Sequence, residues 1–181
     1  MKTEEGKYYP IYNRGNNKEN IFFDTENYFF FLDKFKAYVL PYADIFAYCL
    51  MPNHFHFFCR IIDSIHFEKS IKNFFISYSK AINKKYGRVG SLFQGRYKTS
   101  EITSDSYFTR IITYIHQNPL ASKLTDKLEN YKFSSYSAYL FPHQNSSLKR
   151  EEVLDWFGGL EEFIKSHRII ESSKVLKAPK S

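Results

Sequence analysis

The chain has 181 residues, and its 26 basic against 19 acidic residues give a formal net charge of +7. This length is enough for one domain with a substantial core, and no run approaches the ~20 consecutive apolar residues that a membrane-spanning helix needs. The first residues lack the apolar segment of a secretory signal. Cys49 and Cys59 have no CxxC partner that would indicate a metal-binding site or a redox pair. We therefore expect a cytoplasmic protein without a membrane partner.

The first elements in chain order are a strand and a helix. Residues 7–14 are typical of a strand, and the turn-prone Gly-Asn-Asn that follows would end it. Asp24 or Thr25 can cap a helix that runs to about Leu40, because the next residue is a proline.

A hairpin and an amphipathic helix come next. Residues 43–51 and 54–62 predict two apolar strands joined at Pro52-Asn53. At 100° per residue, residues 67–86 place an apolar stripe on one face of a helix and lysines on the opposite face. The stripe consists of Ile71, Phe74, Phe75, Tyr78, Ala81 and Ile82, and the lysines are Lys69, Lys72, Lys80 and Lys84.

The next predicted elements are a strand and a helix, and they complete the order of a known fold. Residues 91–102 predict another strand, and a helix capped by Ser104 or Asp105 should stop at Asn118, because Pro119 cannot continue it. Strand, helix, strand, strand, helix, strand predicts an α+β fold, a ferredoxin-like βαββαβ sandwich with an added C-terminal helix.

The remainder of the chain predicts a short extension. Helical segments are expected near 149–157 and 159–168, and the last ten residues should be frayed. We accordingly divide the chain into a catalytic domain, 1–140, and a short helical C-terminal extension, 141–181.

The first candidate site is the pair His54 and His56. Side chains alternate along a strand, so both imidazoles face one side of the sheet while Phe55 faces the other. Two imidazoles on one strand are a compact pair of metal ligands. Two partly exposed strand histidines without a ligand are the alternative.

The second candidate site lies at the end of the last predicted helix. Tyr114 and Asn118 are four residues apart and therefore neighbours on one helical face. They lie at the edge of the apolar stripe, which directs them towards the sheet. A core tyrosine, with an asparagine that closes the helix before Pro119, is the alternative.

Together the two sites indicate phosphodiester chemistry. A tyrosine can act as the oxygen nucleophile, and a cation can offset the charge that develops on the phosphate. Two histidines and an amide oxygen leave coordination positions open, so a bound metal could act as Lewis acid and template. Nitrogen and oxygen ligands in an open site suit Mg²⁺ or Mn²⁺, although imidazole also accepts zinc.

Five motifs carry a family resemblance. The sequence resembles the REP-associated tyrosine transposases of the single-tyrosine HUH (IS200-like) superfamily over about residues 8–140. The motifs occur in the order of that family. They are Tyr12-Asn-Arg-Gly-Asn-Asn17, Ala47-Tyr-Cys-Leu-Met-Pro-Asn-His-Phe-His56, Leu92-Phe-Gln-Gly-Arg-Tyr-Lys98, Tyr114-Ile-His-Gln-Asn-Pro119 and Phe133-Ser-Ser-Tyr136.

The resemblance implies a metal-dependent single-stranded DNA endonuclease and strand transferase that acts on hairpin or repeat DNA. It implies that Tyr114 attacks a phosphate and retains the 5′-phosphoryl end, that His54 and His56 bind the metal, and that Asn118 is the third ligand. Members differ in whether they dimerise, so a homo-oligomer is allowed. The family usually has a tryptophan where this chain has Phe133, a departure that could alter the choice of DNA.

The basic residues suit a DNA partner. Between Lys69 and Ser100 there are eight basic residues and no acid. Lysine and arginine would bind phosphates, and aromatic rings would stack on unpaired bases. A lysine stripe can equally be a solvated helix face, but the absence of acids favours DNA. The candidates for DNA binding are Arg14, Lys69, Lys72, Lys80, Lys84, Arg96 and Lys98.

Three rival interpretations stay open. Tyr107 could be the nucleophile, although Ile111, four residues on, cannot bind a metal. A two-histidine phosphoesterase would need a second His-x-Thr/Ser motif, which the other histidines do not form. His116 is an alternative metal ligand, but it lies 160–200° around the helix from Tyr114 and Asn118, which makes it a poorer ligand than Asn118. A non-catalytic nucleic-acid-binding module, such as a domesticated transposase, is the strongest alternative, because ferredoxin-like sheets often bind RNA.

Overall fold

The computed structural model describes residues 2–141 and 145–168, so the expected fraying of the last ten residues lies outside the described part. Four strands and two long helices form the first part of the chain: β1 (Tyr8–Arg14), α1 (Thr25–Tyr38), β2 (Ala43–Met51), β3 (His54–Ile61), α2 (Ser64–Tyr86) and β4 (Lys98–Thr99). Four further helices follow: α3 (Asp105–Ala121), α4 (Tyr136–Leu140), α5 (Arg150–Phe157) and α6 (Leu160–Arg168).

The strands form one antiparallel sheet in the order β2-β3-β1-β4. This order, with α1 and α2 as the two crossover helices, is that of a ferredoxin-like βαββαβ sandwich, and α3 is the added helix. The predicted fold class is therefore confirmed. No helix within 2–141 and 145–168 combines the length and the apolar character needed to cross a membrane.

Aspartate side chains set the starts of the two crossover helices. Asp24 accepts a hydrogen bond from the backbone N–H of Asn27 at 2.9 Å, and Asp63 accepts one from the N–H of His66 at 3.0 Å. Each cap satisfies a backbone donor that the first helical turn leaves without a partner. The Asp63 cap explains why α2 begins at Ser64, three residues before the predicted start.

The predicted strand over 91–102 is wrong, because only Lys98–Thr99 forms a strand. Leu92 and Phe93 are both buried, but neither belongs to a strand. The segment is a loop held by single backbone bonds: Asn16 N–H donates to Leu92 O at 2.9 Å, and Gln94 N–H donates to Arg14 O at 2.9 Å. The loop therefore lies against the end of β1.

The predicted end of α3 at Asn118 is also wrong, because the helix includes Pro119 and ends at Ala121. Proline cannot donate a backbone hydrogen bond to the preceding turn, but it leaves the later turns free to form theirs. The next turn is closed by Ser122 N–H donating to Asn118 O at 3.0 Å and by Leu124 N–H donating to Pro119 O at 2.9 Å. Asn118 is thus held inside the helix.

The two faces of the sheet carry separate cores. Phe55 and Phe57 of β3 pack with α1 and α2, whereas Phe58 packs with α3 on the other face. Val153 of α5 and Phe163 of α6 are fully buried in the same cluster as Phe58. Thus α3 packs on the sheet, and α5 and α6 pack against α3, with Trp156 of α5 also reaching Phe46 of β2.

A buried hydrogen-bond chain joins α3 to α6. His167 Nδ1 lies 2.7 Å from Phe163 O, a carbonyl that can only accept, so Nδ1 is the donor and Nε2 is free to accept. Nε2 then accepts from His116 Nδ1 at 2.9 Å, and His116 Nε2 accepts from the Ser135 hydroxyl at 2.7 Å. Ser135 in turn accepts from the Tyr48 N–H at 2.8 Å. Every donor and acceptor in this hydrogen-bond chain has a partner when both imidazoles are neutral.

The hydrogen-bond chain through His167 and His116 predicts that the protein is less stable in acid. Burial lowers the pKa of His167 to about 4 and that of His116 well below its usual value of 6.5. The unfolded chain therefore binds more protons than the folded chain below pH ~6.5, so the free energy of unfolding should fall as the pH drops from about 6.5 to about 4, by about 3 kcal/mol for His167 alone. Urea denaturation at several pH values measures this.

The matched variant for this prediction is His167→Phe, which suits the neighbouring rings of Phe157 and Phe163. At pH 7 it should cost about 1–3 kcal/mol, because the N–H of His116 loses its acceptor. Its stability should also depend less on pH than that of the natural chain. Identical slopes for the two proteins between pH 6.5 and pH 4 would show that His167 is not neutral and buried as described.

Candidate active site

A cleft of about 770 Å³ opens beside the sheet face that α3 covers. Strands β1, β3 and β4 contribute one wall, and the C-terminal part of α3 contributes the other. The residues that line it are Tyr12, Asn13, Arg14, Lys18, Asn20, Met51, Pro52, Asn53, His54, His56, Gln94, Lys98, Tyr114, Ser122 and Leu124. His54, His56 and Tyr114 therefore line the same cleft, and Asn118 lies one turn of α3 from Tyr114.

His54 and His56 face the cleft together, as strand alternation predicts. Their ring centroids are 5.2 Å apart, and Phe55 between them is buried in the core on the opposite face. Burial lowers the pKa of His54, and burial together with the charge of His54 lowers the pKa of His56 to about 3. Both imidazoles are therefore neutral at physiological pH, which is the form that binds a metal.

Asn53 sets the tautomer of His54. The Asn53 amide nitrogen donates to the Lys18 carbonyl at 3.2 Å, so its carbonyl oxygen is the atom that lies 2.7 Å from His54 Nδ1. Because that oxygen can only accept, Nδ1 carries the proton and Nε2 carries a lone pair. A hydrogen bond from the second ring nitrogen is the usual support of a metal-binding histidine.

Tyr114 and Asn118 of α3 meet the histidines. The ring of Tyr114 stands edge-on to that of His56, with centroids 5.6 Å apart and an interplanar angle of 83°. Asn118 donates through its amide nitrogen to the Tyr114 carbonyl at 2.8 Å, and its side chain lies close enough to those of His54 and Tyr114 to affect the pKa of each. Burial raises the pKa of the Tyr114 phenol, and the Asn118 side chain opposes that rise.

The donor set fits a divalent cation. The amide nitrogen of Asn118 is bound to a carbonyl, which leaves its oxygen to face His54, whose free nitrogen carries a lone pair. Two acceptors that face each other need a proton or a cation between them, and burial disfavours the proton. Among the described residues, no group of three or more His, Cys, Asp or Glu side chains could hold a metal. Two imidazoles and one amide oxygen are thus the candidate ligands.

The structure separates the basic candidates into two groups. Arg14 and Lys98 line the cleft, and Arg14 Nε donates to the Gln94 side chain, which holds the guanidinium at the rim. Arg96 is exposed but does not line the cleft. The other group is exposed on α2, which packs on the opposite face of the sheet, and consists of Lys69, Lys72, Lys80 and Lys84. The cleft and the α2 lysines are therefore on opposite faces of the sheet.

Among the cleft residues that sequence reasoning missed are Tyr12, Lys18 and Asn53. Tyr12 could have been found, because it lies two residues before Arg14 on a predicted strand and so shares its face. Lys18 and Asn53 are in turns, where no periodicity predicts the direction of a side chain.

Two comparisons with known proteins found a match. The family described as "Transposase IS200 like" matches residues 11–118. A solved structure of a REP-associated tyrosine transposase bound to a REP hairpin is similar with a TM-score of 0.65 at 15% identity, covering 81% of this chain and 87% of that chain. No curated protein matches the chain significantly. The family match spans more than half of the chain and confirms the resemblance seen in the motifs: the chain belongs to the IS200-like transposase family.

Proposed function

We propose that this transposase cuts and rejoins single-stranded DNA through a covalent 5′-phosphotyrosine bond on Tyr114, with His54, His56 and Asn118 as ligands of a divalent metal. The observation that supports the proposal is the closeness of these four side chains, which come from a strand and a helix distant in sequence. The Tyr114 ring lies 5.6 Å from the His56 ring, and the Asn118 side chain interacts with those of His54 and Tyr114.

The reaction exchanges one phosphodiester for another. The phenol oxygen of Tyr114 attacks the phosphorus and loses its proton, and the bond from phosphorus to the 3′ oxygen breaks. The departing oxygen takes up a proton and becomes a 3′-hydroxyl, while the 5′-phosphoryl end stays on the tyrosine. Attack by a 3′-hydroxyl reverses the step and joins strands, so no nucleotide cofactor is consumed.

Mg²⁺ or Mn²⁺ bound to the three ligands would polarise the phosphate and offset its developing charge. The protein contributes the fixed relation between ligand and nucleophile, because Tyr114 and Asn118 lie one turn apart on α3. Burial keeps the phenol of Tyr114 protonated in the resting enzyme, and deprotonation is coupled to attack.

Hairpin DNA with a single-stranded segment is the proposed substrate. The similar solved structure contains a transposase bound to a REP hairpin. In this chain, Lys18, Arg14 and Lys98 line the cleft and can bind phosphates, while the half-buried ring of Tyr12 lines its wall.

The test is a covalent adduct assay. The protein is incubated with a labelled hairpin carrying a single-stranded tail, with Mn²⁺ or with EDTA, and then denatured. The proposal expects a labelled protein band with Mn²⁺ that survives the denaturant and is lost with EDTA. A chain that binds the hairpin tightly but never forms the band would instead be the non-catalytic DNA-binding module.

The two basic groups predict different responses to salt and to DNA length. Arg14→Ala or Lys98→Ala should reduce the slope of log K against log salt by about 1 each, with a tail-only oligonucleotide as well as with a long hairpin. Lys80→Ala should do so only with the long hairpin, because α2 lies across the sheet from the cleft. Fluorescence anisotropy at several salt concentrations measures these slopes.

Matched controls make the comparison specific. Lys36→Ala on α1 removes an exposed charge outside both groups and should leave the slopes unchanged. If Lys80→Ala also weakens binding of the tail-only oligonucleotide, the separation of the two groups is wrong. If Lys80→Ala does not change binding of the long hairpin, Lys80 does not bind DNA and lies on a solvated face of α2.

A further inference from the structure

Tyr12 occupies an unassigned position in the cleft, directly beside a proposed metal ligand. It lies opposite His56 in the pairing of β1 with β3, and opposite Lys98 in the pairing of β1 with β4. Directly paired residues of neighbouring strands project from the same face of the sheet. Tyr12 therefore shares the cleft with His56 by the register of the sheet.

The two rings are stacked. Their centroids are 5.6 Å apart with an interplanar angle of 23°, whereas Tyr114 and His54 both meet the His56 ring edge-on, at 83° and 89°. His56 is thus packed against a parallel ring and two perpendicular rings. Contacts of this kind restrict rotation of the imidazole about its Cβ–Cγ bond.

The two proposed histidine ligands are supported differently. His54 donates through Nδ1 to Asn53 at 2.7 Å, which fixes its ring. Within 2–141 and 145–168, neither ring nitrogen of His56 has a hydrogen bond, so its orientation depends on aromatic packing alone. The Tyr12 hydroxyl likewise has no partner within those residues, so its ring is the part that makes the contact.

From these observations we infer that Tyr12 is the positioning residue of His56: its ring, by stacking, holds the imidazole in the orientation that presents a ring nitrogen to the metal. The stacked ring takes the place of the hydrogen bond that ordinarily supports a metal-binding histidine. The inference rests on the proposed function for the identity of the site, but the stacking itself does not require a metal.

Two substitutions separate the ring from the hydroxyl. Tyr12→Phe keeps the ring and removes the oxygen, whereas Tyr12→Leu removes the aromatic surface and keeps an apolar side chain. Phe75→Leu on α2 is the matched control, because Phe75 is also a half-buried aromatic residue, packed against Phe55 and Phe93 on the opposite face of the sheet. It reports what a general loss of packing does to the site.

The first measurement uses the metal-free protein. The ring current of Tyr12 should shift the imidazole C–H signals of His56 in the NMR spectrum. Tyr12→Phe and Phe75→Leu should retain these shifts, and Tyr12→Leu should lose them and show averaging over ring orientations. Unchanged His56 signals in Tyr12→Leu would overturn the inference, whatever the metal does.

The second measurement is calorimetric titration of Mn²⁺ into the protein. Tyr12→Phe and Phe75→Leu should stay within about twofold of the natural chain, and Tyr12→Leu should bind about 10-fold more weakly, the lower end of the effect of removing support from a metal ligand. Equal affinity in Tyr12→Leu would overturn the inference while the proposed function stands. A natural chain that binds no Mn²⁺ would instead refute the proposed metal site, and the NMR comparison would still decide whether Tyr12 holds His56.

Discussion

Replacing Tyr114 with phenylalanine is expected to abolish the covalent DNA adduct. The substitution removes the oxygen that is proposed to attack the phosphorus and keeps the ring that packs edge-on against His56. Loss of a nucleophile typically costs far more than 10³-fold in rate, roughly 10⁶-fold where it has been isolated, so the adduct should fall below detection. Affinity for the hairpin should stay within about twofold, because phosphate contacts supply most of the binding free energy. Adduct yield on a denaturing gel and anisotropy on the same samples measure both.

Tyr107→Phe is the matched control for that result. Tyr107 is the other half-buried tyrosine of α3, two turns before Tyr114, and its neighbour four residues on is the apolar Ile111. The control should form the adduct as the natural chain does. If Tyr114→Phe still forms the adduct and Tyr107→Phe does not, the nucleophile has been assigned to the wrong turn of the helix.

Replacing both His54 and His56 with alanine is expected to remove metal binding and cleavage together. Two of the three proposed ligands are lost, and the remaining amide oxygen of Asn118 is a weak ligand on its own. Mn²⁺ affinity should fall at least about 100-fold, beyond what the loss of a supporting residue costs, and the adduct should vanish at every Mn²⁺ concentration that the protein tolerates. Calorimetric titration and the adduct assay measure the two losses.

His66→Ala is the control for the histidine pair. His66 is exposed on α2, where it bonds to Asp63 at 2.6 Å, and it lies on the other side of the sheet from the cleft. It should leave both metal affinity and adduct yield unchanged. Retention of Mn²⁺ binding by the double alanine variant would place the metal elsewhere and remove the basis of the proposed ligand set.

Much of the site followed from local patterns. A strand has a period of two, so His54 and His56 had to share a face once β3 was identified, and a helix brings Tyr114 within one turn of Asn118. These relations depend on a few consecutive residues and hold in any fold that keeps the element. The cap residues Asp24 and Asp63 act in the same local way, although only the first was recognised from the sequence.

The errors have a shared origin in contacts distant along the chain. Residues 91–102 have the composition of a strand, but backbone bonds to Asn16 and Arg14, distant along the chain, hold residues 92–94 as a loop. Pro119 is a helix breaker by its own chemistry, yet bonds from Ser122 and Leu124 close the turn around it. The position of the α2 lysines relative to the cleft was not predictable either, because the periodicity of a helix does not state which face of the sheet the helix will cover.

The sequence by itself determined the order of the elements, the face that each side chain takes on its own strand or helix, and the motifs of the transposase family, because all of these are properties of short stretches of chain. Only the tertiary structure decided that α3 lies over the His54 face of the sheet, that Tyr12 stacks on His56, and that His116 bonds to His167 of α6. These contacts join residues dozens of positions apart, and they depend on which apolar surfaces the folded chain buries against one another.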